Sequence, residues 1–306
     1  MACRFEVLFS GEKAGHTASA GSALDEVDRI EAELTVFRET SALSQINREA
    51  SDGPVDVDAE LFDILALCRE ISDRTGGAFD ITSTPLSRCW GFLRRQGRLP
   101  SQEEIDRARA LVGMSGVQLD GERRTVRFAS PGMELNLGSI GKGYAVGRMA
   151  QVLRKNGVDA ALLSAGGSSV FALGGDADGW RVDLNSRQVV RGPLAQLHLR
   201  NVALATSGTG EQFVDVKGTR YGHVLDPRTG WPASGILSAS VVTREPSVAD
   251  ALSTAFLVGG LTLAEQYCAS HVDTLAVLTP DDGSERPRVF GRCEGARVNI
   301  FSGTPT

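Results

Sequence analysis

Paired cysteines, a basic surplus and a membrane-length apolar run are all missing from this chain of 306 residues. The five cysteines (Cys3, Cys68, Cys89, Cys268, Cys293) are odd in number, scattered and never spaced as CxxC. That pattern argues against a disulfide framework or a thiolate metal site and suits a reducing compartment. A net charge of −6 argues against a nucleic-acid or anionic-membrane partner, since neither is attracted to an acidic surface. Any anionic ligand then has to be neutralised locally, by a metal ion or by a few basic groups. The longest apolar stretch, "ALSTAFLVGGLTLA" at 251–264, falls short of the roughly 20 residues that span a bilayer, so no transmembrane segment is expected. The opening "MACRFEVLFSGEKAG" holds Arg4 and Glu6 and no apolar leader core. With the unpaired thiols this predicts a cytoplasmic protein, or an extracytoplasmic one if a leader has been trimmed.

What the chain does hold is ordinary globular composition, with 42% hydrophobic and 23% charged residues, and an excess of glycine at 35. Many glycines cluster between Gly132 and Gly230, as backbone passing close to a ligand would require, although loops alone also produce such a bias. Elements mix without a βαβ rhythm. "CRFEVLF" alternates as a strand. "GSALDEVDRIEAELTVF" carries a helical stripe at Leu24, Val27, Ile30, Leu34 and Phe37, with Ser22 and Asp25 placed to cap it. "DAELFDILALCREISDRTGG" reads as a helix stopped at Gly76. Ser101 and Glu104 form a capping box, and "VQLDGERRTVRF" reads as a hairpin about Asp120-Gly121. "KGYAVGRMAQVLRKNGV" predicts a helix, hairpin strands follow from 168 to 243, and "SVADALSTAFLVGG" returns to helix. The expected fold is α+β, one compact unit over residues 1–306.

Four places concentrate chemistry. In "TGGAFDITSTPLSRCWGF" a double glycine allows a sharp turn beside Phe79, an aromatic face, and Asp80, an acceptor; on the local pattern alone a helix stop followed by a core strand explains it better. In "ELNLGSIGKGYA" a glycine-spaced loop opens a helix, whose free N–H groups with Lys142 suit an anion. That loop lacks both the GxxxxGK(S/T) and the GxGxxG spacings, so phosphate binding and a plain turn stand level. In "SVADALST", Asp250 and Thr254 lie four apart on one helix face, an oxygen-only pair suited to Mg2+ rather than Zn2+, although such pairs usually cap helices or face water. In "HVLDPRTGWP", the Asp226–Gly230 stretch is a complete turn sequence, flanked by His223, one of only four histidines, and containing Arg228.

Seven blocks, in order along nearly the whole chain, resemble the ApbE family of FAD:protein FMN transferases. They are "MACRFEV" (like the family's Met-Gly-Thr start), "TGGAFDIT…PL…WGF", "LNLGSIGKGYA", "LLSAGGSSVFALG", "ATSGTGEQF", "HVLDPRTGWP" and "VADALSTA". The resemblance implies a single α+β domain of two lobes, with mixed or antiparallel sheets, flanking helices and the flavin between the lobes. It implies Mg2+-dependent transfer of FMN from FAD to a Ser or Thr of a target flavoprotein, with release of AMP. By resemblance the metal ligands are Ser139, Asp250 and Thr254, and His223 activates the acceptor hydroxyl. Met1, Ala78, Phe79, Asp80 and Asn136 match flavin-contacting positions, and Lys142 and Arg228 are further cofactor-binding candidates. Two carboxylates of the family pattern are replaced, by Asn136 and by Ser168, and Ser139 stands where relatives carry Ala or Thr. Two other readings use the same residues: an FAD pyrophosphatase with water as acceptor, and a flavin-binding or storage protein without chemistry.

Overall fold

The computed structural model describes residues 3–10, 14–94, 96–185, 193–210, 213–216, 218–284 and 286–301. Packing divides the chain into two compact units, the first of residues 1–30, 140–210 and 234–306, the second of residues 31–139 and 211–233.

In chain order the elements before residue 140 are β1 (Phe5–Leu8), α1 (Thr17–Leu34), α2 (Ala42–Glu49), β2 (Val55–Asp56), α3 (Ala59–Arg74), α4 (Thr84–Cys89), α5 (Gln102–Arg109), β3 (Val117–Asp120) and β4 (Thr125–Phe128). After it come α6 (Gly141–Lys155), β5 (Ala161–Ala165), β6 (Ser169–Leu173), β7 (Trp180–Asn185), β8 (Pro193–Leu199), β9 (Val202–Gly208), β10 (Phe213–Val216), β11 (Thr219–Gly222), β12 (Ile236–Thr243), α7 (Pro246–Ser270), β13 (Thr274–Pro280), β14 (Arg288–Arg292) and β15 (Ala296–Ile300).

The first unit is built on a seven-stranded sheet of order β1-β5-β6-β9-β12-β13-β14, antiparallel at every pairing. A three-stranded sheet β15-β8-β7 lies on one face. Its inner residues Leu197 and Leu199 pack against Val170, Leu204, Val242 and Leu275 of the large sheet. On the other face lie α6 and α7. Strands alternate because period-2 side chains let one face bury apolar groups, and each fully buried Leu contributes roughly 1.5–3 kcal/mol. The "AGGS" block is the β5–β6 turn, where Gly166 and Gly167 take φ of +60° and +69°, a conformation that costs a side chain but not glycine.

The second unit holds α2 to α5, the sheet β2-β4-β3 and the hairpin β10-β11. The predicted hairpin at 117–128 forms, with Asp120 paired to Thr125, so its loop takes four residues and not the two-residue turn. The Ser101–Glu104 capping box forms in both directions. Asp58 caps α3, which ends at Arg74 as expected.

Two expectations need correction. Helix α1 starts at Thr17, so Ser22 lies inside it, its hydroxyl donating back to the Ala18 carbonyl. Small residues upstream impose no stop, and the buried stripe Ala23, Val27 and Ile30 needs those earlier turns for support. The apolar run at 251–264 belongs to a longer helix, α7, of 25 residues, which is long and apolar enough to cross a membrane by length and composition. More than half of that stretch is buried in the protein, the pattern of a core helix. Gly260, at φ +73°, breaks the helical backbone between its two parts.

Candidate functional site

In the first unit the "GSIGKGYA" loop opens α6 as expected, and a carboxylate from elsewhere meets its first turn. Asp250, in the second turn of α7, is 2% exposed, and its Oδ2 accepts the Gly143 N–H at 2.9 Å. A carboxylate there is favourable twice over, as a cap for an orphan donor and as a negative charge at a helix N-terminus. The second glycine of "GKG" follows from this closeness. A Cβ on residue 143 would stand 2.2 Å from the Pro246 carbonyl oxygen and 2.7 Å from Asp250 Cβ, so only glycine lets α6 meet α7.

Asp250 Oδ1 faces two more groups. Ser169 Oγ on β6 donates to it at 3.2 Å, and the Lys142 ammonium lies 3.4 Å away. One turn further along α7, Thr254 Oγ1 lies 3.2 Å from Ser207 Oγ on β9, which also meets Ser253 Oγ at 2.8 Å. The Asp-x-x-x-Thr spacing therefore does aim both oxygens from one helix toward the same sheet. Lys142, expected to add a charge to the cradle at the helix N-terminus, pairs with this carboxylate.

The residues that sequence reasoning missed are Ser169, Ser207 and Ser253. Their signal lay in the hydroxyl-rich blocks "AGGSS", "ATSGTG" and "ALST", but only the sheet register shows which hydroxyls turn toward α7. Ser168 lies in the β5–β6 turn, its N–H donating to the Ala165 carbonyl at 3.2 Å and its carbonyl accepting the Thr206 N–H at 2.7 Å.

The second unit holds the other candidates. Gly76 and Gly77, both at positive φ, turn the chain after α3, and Ala78 and Phe79 are each 1% exposed. The Phe79 ring is thus buried, not an open aromatic face. Asp80 is 8% exposed and saturated by its own unit. Its Oδ1 accepts the Thr82 N–H at 2.8 Å and the Thr82 hydroxyl at 2.6 Å, while Oδ2 accepts the Met114 N–H at 3.0 Å. Burial pushes its carboxyl above the usual range, outweighing those hydrogen bonds. Asn136 donates its backbone N–H to the Ile81 carbonyl at 2.8 Å, and its Oδ1 accepts the Gly138 N–H at 2.8 Å. Its side chain makes an Asx turn that an aspartate would make equally. Ser139 follows, one residue ahead of the Ile140 N-cap of α6.

His223 is half-buried and comes directly after β11. The turn beyond it is held by Arg228, whose Nε and Nη2 pair with both oxygens of Asp226 at 2.8 Å. That pairing raises the guanidinium pKa further and occupies the fork that a ligand would need. The stem of Arg228 lies over Gly77, which joins the first and fourth motif places. The Trp90 indole donates to the Gly230 carbonyl at 2.9 Å and packs with Phe92, Tyr221 and Trp231, so "WGF" anchors "TGWP". Met1 lies outside the described residues.

Among the described residues, no three His, Cys, Asp or Glu side chains cluster as a metal centre. The set at α7 has one carboxylate with hydroxyls around it. That donor chemistry fits a hard cation such as Mg2+, which keeps waters and takes substrate phosphate oxygens for its remaining positions.

In this mixed α+β protein a buried carboxylate, a lysine and a serine hydroxyl thus meet at the first turn of α6. The ApbE family pattern matches residues 1–279, and the chain belongs to that family. It is 31% identical to the FAD:protein FMN transferase of Treponema pallidum, over 82% of this chain and 74% of that one. It is 28% identical to the FAD:protein FMN transferase of Vibrio cholerae, over 84% of this chain and 80% of that one. The crystal structure of the Thermotoga maritima ApbE protein superposes with a TM-score of 0.83 at 27% identity, covering 95% of this chain and 97% of that one. The Pseudomonas stutzeri flavinyl transferase ApbE, in its apo form, follows at 0.78 and 26%, covering 94% and 95%.

Proposed function

We propose that this enzyme, a flavin transferase by family, moves FMN from FAD to a Ser or Thr hydroxyl of a target flavoprotein and releases AMP. The observation that carries the reading is the Asp250–Lys142 pair at the start of α6, in a chain whose relatives are named for that reaction.

The chemistry needs pyrophosphate oxygens to be held and neutralised and one hydroxyl to be deprotonated. The first-turn N–H groups of α6 and the Lys142 ammonium are the groups suited to bind those oxygens. Asp250 and Thr254, with Ser139, are the residues that would hold Mg2+. When bound, the ion supplies Lewis-acid and charge stabilisation. The target hydroxyl attacks the FMN-side phosphorus, a new P–O bond forms, the bond to the AMP phosphate breaks, and AMP leaves. The hydroxyl proton passes to His223, because imidazole is the side chain most often used as a general base.

The test is single-turnover AMP release with FAD, Mg2+ and an acceptor peptide, comparing the native chain with His223→Ala. Loss of a general base lowers the rate by roughly 10²- to 10⁴-fold. A mutant that reacts at the native rate removes His223 from the mechanism. AMP with covalent flavin supports transfer, AMP with free FMN identifies a pyrophosphatase, and absence of turnover in the native chain identifies a binding protein.

A further inference from the structure

Two features at the head of α6 are coupled by one side chain. The N-cap residue Ile140 supplies no side-chain cap, and among the described residues the partner of the first three N–H groups is Asp250, which accepts that of Gly143. Among the described residues, the Gly141 and Lys142 N–H groups have no acceptor and are open to an outside one. Meanwhile the Lys142 ammonium turns to Asp250 Oδ1, the oxygen of that carboxylate that no backbone donor uses. The carboxylate is 3% exposed at its side chain and the lysine 25%, so this is a largely desolvated pair rather than a surface one. A buried carboxylate of this kind is costly without a positive partner, and Lys142 is that partner in the ligand-free state.

Resting on the proposed use of Asp250 as a metal ligand, we infer that Lys142 is a tethered counter-ion that competes with Mg2+ for Asp250. It is drawn off when pyrophosphate oxygens occupy the head of α6. A divalent ion and an ammonium cannot share one carboxylate oxygen at close range without strong repulsion, weakly screened in a buried site. Pyrophosphate resolves the conflict because it offers the ammonium a new partner at the helix N-terminus from which Lys142 itself projects. FAD and Mg2+ therefore bind cooperatively, and by linkage each raises the affinity for the other by the same factor. The device keeps the carboxylate neutralised at all times and prevents the metal from settling in the absence of substrate.

The experiment is titration calorimetry of Mg2+ into the full chain, with and without saturating FAD, for the native protein, Lys142→Met, Lys142→Arg and Asp250→Asn. Without FAD, Lys142→Met is expected to bind Mg2+ at least ~10-fold more tightly than the native chain, since a competing cation is gone. Lys142→Arg keeps the charge and stays near the native affinity. The gain in Mg2+ affinity on adding FAD shrinks in Lys142→Met. If Lys142→Met lowers folded stability, the rise in melting temperature on adding Mg2+ serves as the second readout, and it is expected to exceed that of the native chain. Native Mg2+ binding that Asp250→Asn abolishes, together with equal or weaker binding in Lys142→Met, overturns the inference and leaves the metal assignment standing. Native binding that Asp250→Asn does not alter overturns the metal assignment itself.

Discussion

Asp250 in the first unit and Asp80 in the second are both buried carboxylates, 2% and 8% exposed, yet they are employed in opposite ways. Asp80 spends its oxygens on the Thr82 and Met114 backbone N–H groups and the Thr82 hydroxyl, all within its own unit. Asp250 gives one oxygen to the Gly143 amide and leaves the other to a serine hydroxyl and the Lys142 ammonium. The first is scaffolding that fixes the "FDIT" loop. The second is a carboxylate whose cationic partner can be exchanged. Burial alone therefore does not mark a chemical site; a replaceable partner does.

The largest effect tests how closely α6 must meet α7. Gly143→Ala forces a Cβ to within 2.2 Å of the Pro246 carbonyl, so one helix has to move. A loss of about 3 kcal/mol or more is expected in denaturant unfolding, or no folded protein at all. Gly147→Ala, where the nearest atom of Pro246 is 3.4 Å away, is the control. It is expected to be neutral or to stabilise by up to ~1 kcal/mol through helix propensity. Equal behaviour of the two variants would remove the close-approach explanation.

Asp80→Ala comes next. It leaves two buried backbone donors without an acceptor, at about 1–3 kcal/mol each, so a loss of about 2–6 kcal/mol is expected by the same measurement. A loss below that range would mean the loop is held by something other than this carboxylate.

The comparison sharpens with pH, because buried and ion-paired carboxylates respond with opposite sign. Burial raises the Asp80 pKa above its ordinary 3.8, so the folded state holds that proton more firmly than the unfolded state does. Its contribution is present below 3.8 and is lost as pH rises through the raised value. Glu26, in the first unit, is held down to about 2, chiefly by the Arg29 hydrogen bond and also by Arg148. Its contribution is present above the ordinary 4.5 and is lost as pH falls toward 2. Asp80→Asn should flatten the first slope and Glu26→Gln the second, in unfolding free energies measured across the acid range. Unchanged slopes would show that other groups govern the acid response.

The smallest effect concerns Asn136. Aspartate can keep the bond to the Gly138 N–H, so Asn136→Asp should fold normally. FAD affinity is expected to change by only about 2- to 10-fold, on the order of 1 kcal/mol for one added exposed charge. Flavin fluorescence titration measures it, and an unchanged affinity counts against contact between residue 136 and the flavin.

Sequence legibility followed the range of the interactions. The Ser101–Glu104 capping box, the Asp120-Gly121 hairpin and the stop of α3 were readable because each is settled within a few residues. The start of α1 was misread because a serine inside a helix and a serine at its cap look alike until the neighbours are known. Likewise α7 runs past its double glycine, because the buried partners of its second part, such as Ala264 and Tyr267, hold it after the break at Gly260.

The same division applies to the site. Residue types and local spacing alone established that Asp250 and Thr254 share a helix face, that "GSIGKG" opens a helix, and that "DPRTG" is a turn beside His223. Helical and turn periodicities are local and do not need the rest of the chain. Only the tertiary structure decided which acceptors are free. It spent Asp80 on Thr82 and Met114, locked Arg228 onto Asp226, and brought Lys142, Gly143 and Ser169 to one carboxylate 81 to 108 positions away along the chain. A polar atom's availability depends on every partner within hydrogen-bond reach, and those partners are set by sheet register and helix packing rather than by neighbours in sequence.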